Sequence, residues 1–175
     1  MTKNDLKENK MAKGFISIED LKKVPSYPSE ERFKRGPVAV IECLEEIPCN
    51  PCETACSRNA IKVGYPITNR PVLVDEAACN GCGNCIIKCP GLAIFVVNKA
   101  YSEEKATIVM PYELLPLPEK GSNVVCLDRK GNAICEGIIL KVLSGKALNK
   151  TNLITVLIPK EYADVVRFFK IKDNV

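Results

Sequence analysis

Four cysteines between Cys79 and Pro90 follow the spacing Cys-x2-Cys-x2-Cys-x3-Cys-Pro. Thiolates are soft ligands, and two-residue gaps let one loop wrap a cubane so that each sulfur reaches a different iron. Gly81 and Gly83 are expected to let the backbone approach the inorganic sulfides, where a Cβ would intrude. The longer last step carries Cys89 onto the start of another segment, and Pro90 redirects the chain. Zinc is the competing reading, but zinc sites favour two separated Cys-x2–4-Cys pairs. Iron–sulfur chemistry is therefore the expectation.

A second group, Cys43, Cys49, Cys52 and Cys56, looks irregular by itself. Cys49, Cys52 and Cys56 lie 33 residues before Cys82, Cys85 and Cys89, and Ala60-Ile61 lies 33 before Ala93-Ile94. Cys43 lies 36 before Cys79. The chain thus contains an internal duplication, with three extra residues between the first two cysteines of the first copy.

Each copy needs elements to hold its cysteines. A strand precedes each loop, Val38 to Glu42 (VAVIE) and Val72 to Asp75 (VLVD). A short helix is expected after the third or fourth cysteine of each copy, and a strand after it, Ala60 to Gly64 (AIKVG) and Leu92 to Val97 (LAIFVV). The expected fold class is α+β, a duplicated ferredoxin-like β-α-β core holding two cubanes.

Over residues 36–99 the pattern resembles the two-cluster [4Fe–4S] bacterial-type ferredoxins. The resemblance implies crossed ligation: Cys43, Cys49, Cys52 and Cys89 for one cluster, and Cys79, Cys82, Cys85 and Cys56 for the other. The first copy departs from the family in its x5 gap and in Ser57, where a proline would follow the fourth cysteine. The gap leaves two readings of Cys43, a ligand or a buried free cysteine beside a three-iron or externally completed cluster. A finer resemblance, carried by Ile-Pro-Cys-Asn-Pro-Cys (47–52) and Cys-Pro-Gly-Leu-Ala-Ile-Phe (89–95), is to small iron–sulfur subunits of FAD-dependent proline-, hydroxyproline- or opine-type dehydrogenases. It implies a flavoprotein partner that oxidises an amino acid or related amine.

The remaining chain supports a carrier rather than a catalyst. Histidine is absent, which removes the commonest general base and the Ser-His and Cys-His pairs. No G-x-G-x-x-G or P-loop occurs, so donor and acceptor are expected on other chains. A four-thiolate cubane exchanges single electrons. The formal charge of +4 falls to about zero once eight thiolates and two [4Fe–4S]2+ cores are counted, which argues against an electrostatic nucleic-acid binder. The expected function is an electron-transfer subunit of a multi-subunit oxidoreductase. A free ferredoxin and a structural or regulatory iron–sulfur protein are the alternatives. No apolar run is long enough to span a membrane and no secretory leader is evident, so a cytoplasmic setting is expected. Pro48 and Pro51 flank Cys49 and remove two N–H donors, which predicts a lower potential for the cluster of Cys43.

Three segments are expected: an N-terminal arm over 1–37, a dicluster domain over 38–111 and a small β-rich domain over 119–170. Residues 1–13 read as a Lys-rich disordered tail. The arm is read as lying across a partner subunit, with packing on its own core as the alternative. Phe15 to Val24 reads as a short helix capped by Ser17. Residues 98–111 read as a hairpin, and Pro111, Pro116 and Pro118 as a linker. Pro159 to Phe169 reads as a closing helix. Cys126 and Cys135 fall opposite each other if the turn centres on Lys130-Gly131, and read either as a redox pair or as two buried small apolar residues.

Overall fold

The computed structural model describes residues 15–172, apart from 25, 45 and 149. The expected tail over 1–13 lies outside the described residues. The chain is a mixed helix–strand structure built mainly on antiparallel sheet. Two short helices come first, α1 (Ile18–Leu21) and α2 (Glu30–Phe33). Ser17 and Ser29 cap them by accepting from the N–H groups of Asp20 and Arg32. The cap at Ser17 is the one expected.

Val38–Ile41 forms β1, and all four residues are buried. A strand apolar on both faces must be covered on both. It pairs antiparallel with β4 (Ile94–Asn98), Val38 opposite Val97 and Ile41 opposite Ile94. Between them run α3 (Pro51–Thr54), β2 (Ile61–Lys62), β3 (Val72–Leu73) and α4 (Asn84–Lys88). β2 pairs with β3, Ile61 opposite Leu73. The leading strand of each copy therefore pairs with the trailing strand of the other. α3 packs on α4, and α4 packs on β4 and on two later strands, β5 (Lys105–Tyr112) and β8 (Asn152–Pro159).

β4 and β5 form the expected hairpin, Val96 opposite Val109. The proline boundary does not part the sheet. β5 pairs with β8 along its whole length, from Lys105 opposite Pro159 to Tyr112 opposite Asn152. With β6 (Asn123–Leu127), β7 (Ala133–Leu143) and β9 (Phe168–Ile171), one seven-stranded sheet runs in the order β1-β4-β5-β8-β7-β6-β9. Residues of both expected domains share one core cluster.

The helix expected over 159–169 does not form. A single 3-10 turn spans Lys160–Tyr162, and Phe168–Ile171 is a strand paired with β6. β6 offers an open edge, and the β-favouring Phe168 and Phe169 satisfy it. Phe169 is buried and stacks on Tyr112, with ring centroids 5.2 Å apart. The described part of the arm packs on the chain's own core: Leu21 and Phe33 are fully buried, and Tyr27 donates to Asp164 at 2.7 Å.

Cys126 and Cys135 are directly opposite in the β6–β7 register. Burial pushes the Cys126 thiol up to about 12, which suits a small apolar core residue. Gly137 lies against this pair. A Cβ there would stand 2.6 Å from the Cys126 sulfur and 2.8 Å from Val156 Cγ1. Gly137→Ala is expected to cost about 1–3 kcal/mol by overpacking, read as a lower denaturation midpoint with unchanged slope. An unchanged midpoint would contradict that contact.

Candidate iron–sulfur site

The two copies repeat the turn after their fourth cysteine bond for bond. Asn59 N–H donates to Cys56 O at 2.9 Å, and Leu92 N–H to Cys89 O at 3.2 Å. Asn59 and Leu92 both take a left-handed backbone, with φ of 54° and 51°. The next residue then turns its N–H onto the cysteine sulfur, Ala60 to Cys56 at 3.3 Å and Ala93 to Cys89 at 3.5 Å. Leucine seldom adopts this conformation, so Leu92 is held there by its surroundings. Asparagine suits this backbone, but nothing in the residue type of Leu92 announces the shared turn.

The cysteines line two cavities. Cys43, Cys49, Cys52 and Cys89 surround one, together with Ile47, Pro51 and Ile94. Cys79, Cys82, Cys85 and Cys56 surround the other, together with Ala39, Ile61 and Val96. Each has about 340 Å³ of atom-free space, mouth included. Each quartet draws three cysteines from one copy and the fourth from the other. Cys43 stands with Cys49 despite the longer gap between them. Among the described residues, no three His, Cys, Asp or Glu are grouped to hold a single metal ion. The sulfurs ring a space rather than a point, which suits a cubane and not a lone zinc.

The glycines of the second loop also have a reason in the protein itself. Gly81 and Gly83 have φ of 67° and 84°. A Cβ on Gly81 would lie 2.6 Å from Pro37 Cβ, and one on Gly83 3.2 Å from Leu153 Cδ1. They permit a close approach to Pro37 and Leu153.

Each loop is braced from outside. In the first, the Glu53 carboxylate accepts from Val63 and Gly64 N–H at 2.8 and 3.0 Å, tying α3 to the end of β2. In the second, Asp75 accepts from Ala78 N–H, and Asn80 accepts from Cys82 N–H. Arg32 is 5% exposed and donates to the carbonyls of Glu76, Gly36, Pro37 and Cys79. Ala39 N–H reaches the Cys79 sulfur at 3.4 Å. Glu42, one residue before Cys43, is held by Arg129 and Arg167, all three side chains under 10% exposed. Its own N–H donates to Ala93 O. The sequence reading missed all three arginines; nothing in sequence separates them from surface arginines.

Burial pushes the Cys52 thiol up to about 11 and the Cys85 thiol up to about 12, with crowding by neighbouring cysteines adding to it. Like charges at this spacing are unfavourable without a cation, and an iron–sulfur core supplies one. Pro51 occupies the first helical position of α3 and lines the first cavity, where α4 has Asn84 with its N–H intact. Pro51→Ala restores a donor there. A hydrogen bond worth about 1 kcal/mol more to the reduced cluster raises a one-electron potential by about 40 mV. EPR-monitored redox potentiometry is expected to show this rise, and an unchanged potential would count against the donor argument.

Asp164 anchors the N-terminal segment to the far end of the chain. It accepts from Tyr27, and Lys99 and Lys22 lie 2.9 and 3.0 Å away. Burial alone would raise its carboxyl; Lys99, Tyr27 and Lys22 bring it down to about 2 from the usual 3.8. A depressed folded-state value stabilises above the unfolded value, and that stability is lost as pH falls from about 4 to about 2. Wild type is expected to exceed Asp164→Asn by about 2 kcal/mol near neutrality. Their gap should close by about pH 2 in acid denaturation.

Comparison with known proteins agrees on the cofactor. A model of the 4Fe-4S binding domain family matches residues 72–95. The chain is 30% identical over 145 residues to translation initiation factor rli1 of Schizosaccharomyces pombe, covering 74% of this chain and 24% of the relative. It is 26% identical over 157 residues to Protein Pixie of Drosophila melanogaster, covering 81% and 24%. It is 28% identical over 147 residues to ABC transporter E family member 1 of Arabidopsis thaliana, covering 74% and 23%. The chain spans about a quarter of the length of these relatives. No solved structure gives a significant match. No helix among the described residues is long and apolar enough to cross a membrane. Residues 72–95 place a ferredoxin-like 4Fe-4S binding domain in this chain.

Proposed function

We propose that the chain holds two [4Fe–4S] clusters and passes single electrons between redox sites on partner subunits. Cys43, Cys49, Cys52 and Cys89 would ligate one cluster, and Cys79, Cys82, Cys85 and Cys56 the other. The observation that carries this reading is the pair of four-cysteine cavities, equal in size and drawn across the two copies. α3 and α4, which carry Cys52 and Cys85, pack on each other. The two cavities are thus neighbours, as a two-cluster wire requires. Cys82 is exposed while Cys85, Cys52 and Cys89 are buried, which makes the Cys82 edge the natural exit to a partner. The partner proposed is a flavoprotein subunit; its finer identity as an amino-acid or amine dehydrogenase rests on segments 47–52 and 89–95 alone.

A second reading is favoured by the likeness to proteins named as translation initiation factors and as an ABC transporter E family member. In it the clusters shape a surface and are not cycled. Anaerobically purified protein decides. The electron-transfer reading expects about eight irons and eight sulfides per chain and two reversible one-electron reductions between about −700 and +450 mV. Clusters that resist reduction across that range would overturn it in favour of the second reading. Purification from the native host is expected to co-elute a flavoprotein.

A further inference from the structure

We infer that Arg32 sets the order in which the two clusters accept electrons, holding the cluster of Cys79, Cys82, Cys85 and Cys56 at the higher potential. The inference rests on the two-cluster reading above. Adding an electron makes a cluster more negative, so a permanent positive charge held nearby, away from water, favours reduction. Arg32 supplies such a charge. It is buried, and four carbonyl oxygens satisfy its guanidinium, one of them the carbonyl of the ligand residue Cys79. Carbonyl dipoles satisfy its donors but do not cancel its charge. The nearest acid in this network, Glu76, is half-buried and gives its carboxylate to the N–H and hydroxyl of Ser29; those two bonds lower its carboxyl most, and Arg32 is a smaller cause.

The first cavity is arranged differently. The charged side chain next to Cys43 belongs to Glu42, and Arg129 and Arg167 bind its two oxygens. Their triad also sums to one positive charge, but its acidic member lies closest in sequence to the ligand and each arginine is engaged with it. At Cys79 the adjoining charge is an arginine with no carboxylate bonded to it. The missing N–H of Pro51 in the first cavity acts in the same sense.

The test uses the full chain, anaerobic and loaded. Iron analysis comes first. About four irons instead of eight removes the two-cluster reading, and the order with it. With both clusters present, the wild-type EPR signal that Cys82→Ser alters is assigned to the cluster of Cys82, and the order is read from the wild-type titration, because a ligand change also moves its own cluster's potential. The expected result is that the changed signal belongs to the cluster reduced first; a change in the signal reduced second overturns the inference. Arg32→Gln is expected to lower that cluster's potential by a tenfold change in its one-electron equilibrium, ~59 mV, leaving the other cluster within a few-fold. Arg32→Lys keeps the charge and is expected to keep the order. Equal shifts in the Gln and Lys variants would assign Arg32 a purely structural role. If Arg32→Gln does not fold, the Cys82→Ser label on the wild-type background decides alone.

Discussion

Glu42→Ala is expected to destabilise the protein by about 3–5 kcal/mol, because it strands two buried guanidinium groups. Arg129 Nε donates to Glu42 Oε2 at 2.8 Å, and Arg129 Nη2 and Arg167 Nε both donate to Oε1 at 2.5 Å. The side chains are 8%, 9% and 4% exposed, so water cannot replace the lost carboxylate. Burial by itself would raise the Glu42 carboxyl, but Arg167 and Arg129 hold it below the usual carboxylate range. The arginines' other contacts do not compensate. Arg129 donates to Asp164 O and Arg167 to Ala163 O and Val166 O, all neutral acceptors. Arg167 Nη2 is buried without a hydrogen-bond partner, and the guanidinium lies 5.2 Å from the Phe95 ring. Losing Glu42 therefore leaves two positive charges facing each other. The triad joins the end of β1, beside Cys43, to the β6–β7 turn and the approach to β9. The same variant is thus expected to lose iron from the first cavity before the second. Chemical denaturation of the loaded protein measures the first effect, and iron per chain the second. A loss below about 1 kcal/mol would mean that the triad is solvated in solution. Replacing all three residues by apolar ones of similar volume should recover much of the stability.

Cys89→Ala is expected to empty the cavity of Cys43, Cys49 and Cys52, although Cys89 belongs to the motif of Cys79, Cys82 and Cys85. Iron should fall from about eight to about four per chain, or to about seven if a three-iron cluster survives. Cys56→Ala should do the reverse. The rival expectation, a cluster held by the four consecutive cysteines of one motif, predicts that Cys89→Ala harms the second site. Double variants separate the two. Residues serving one cluster are non-additive, so Cys43→Ala added to Cys89→Ala should remove little further iron, whereas Cys79→Ala added to Cys89→Ala should remove nearly all. Additivity in the first pair would break the crossed assignment. The expectation follows from which cysteines line which cavity.

Much of this arrangement was legible in the residues. The 33-residue offset predicted equivalent elements, and α3 and α4 follow equivalent cysteines. The small β-rich segment expected over 119–170 carries β6, β7 and β8, and β9 runs to its end. Local signals failed where long-range pairing competes with them. PKEYADVVRFF carries a helical start, yet the open edge of β6 takes its last residues as a strand. The prolines at 111, 116 and 118 signal a break in the chain and not in the sheet, because β5 finds its neighbour in β8, which starts 40 residues after β5 ends. Pro37 gives Gly81 a reason within the protein that no local signal shows, beside the expected one of the cofactor.

By itself the sequence determined the chemistry, because ligand type and spacing in a short loop are local properties: cysteine gaps dictate what a loop can wrap. The tertiary structure supplies the pairing behind the division that the resemblance implied: β1 pairs with β4 and β2 with β3, and cysteines of both copies line each cavity. It also decided which charges stand behind the ligands. Arg32, Arg129 and Arg167 resemble surface arginines in sequence. Only burial, which removes the screening of water, turns a guanidinium into a lasting field at a cluster.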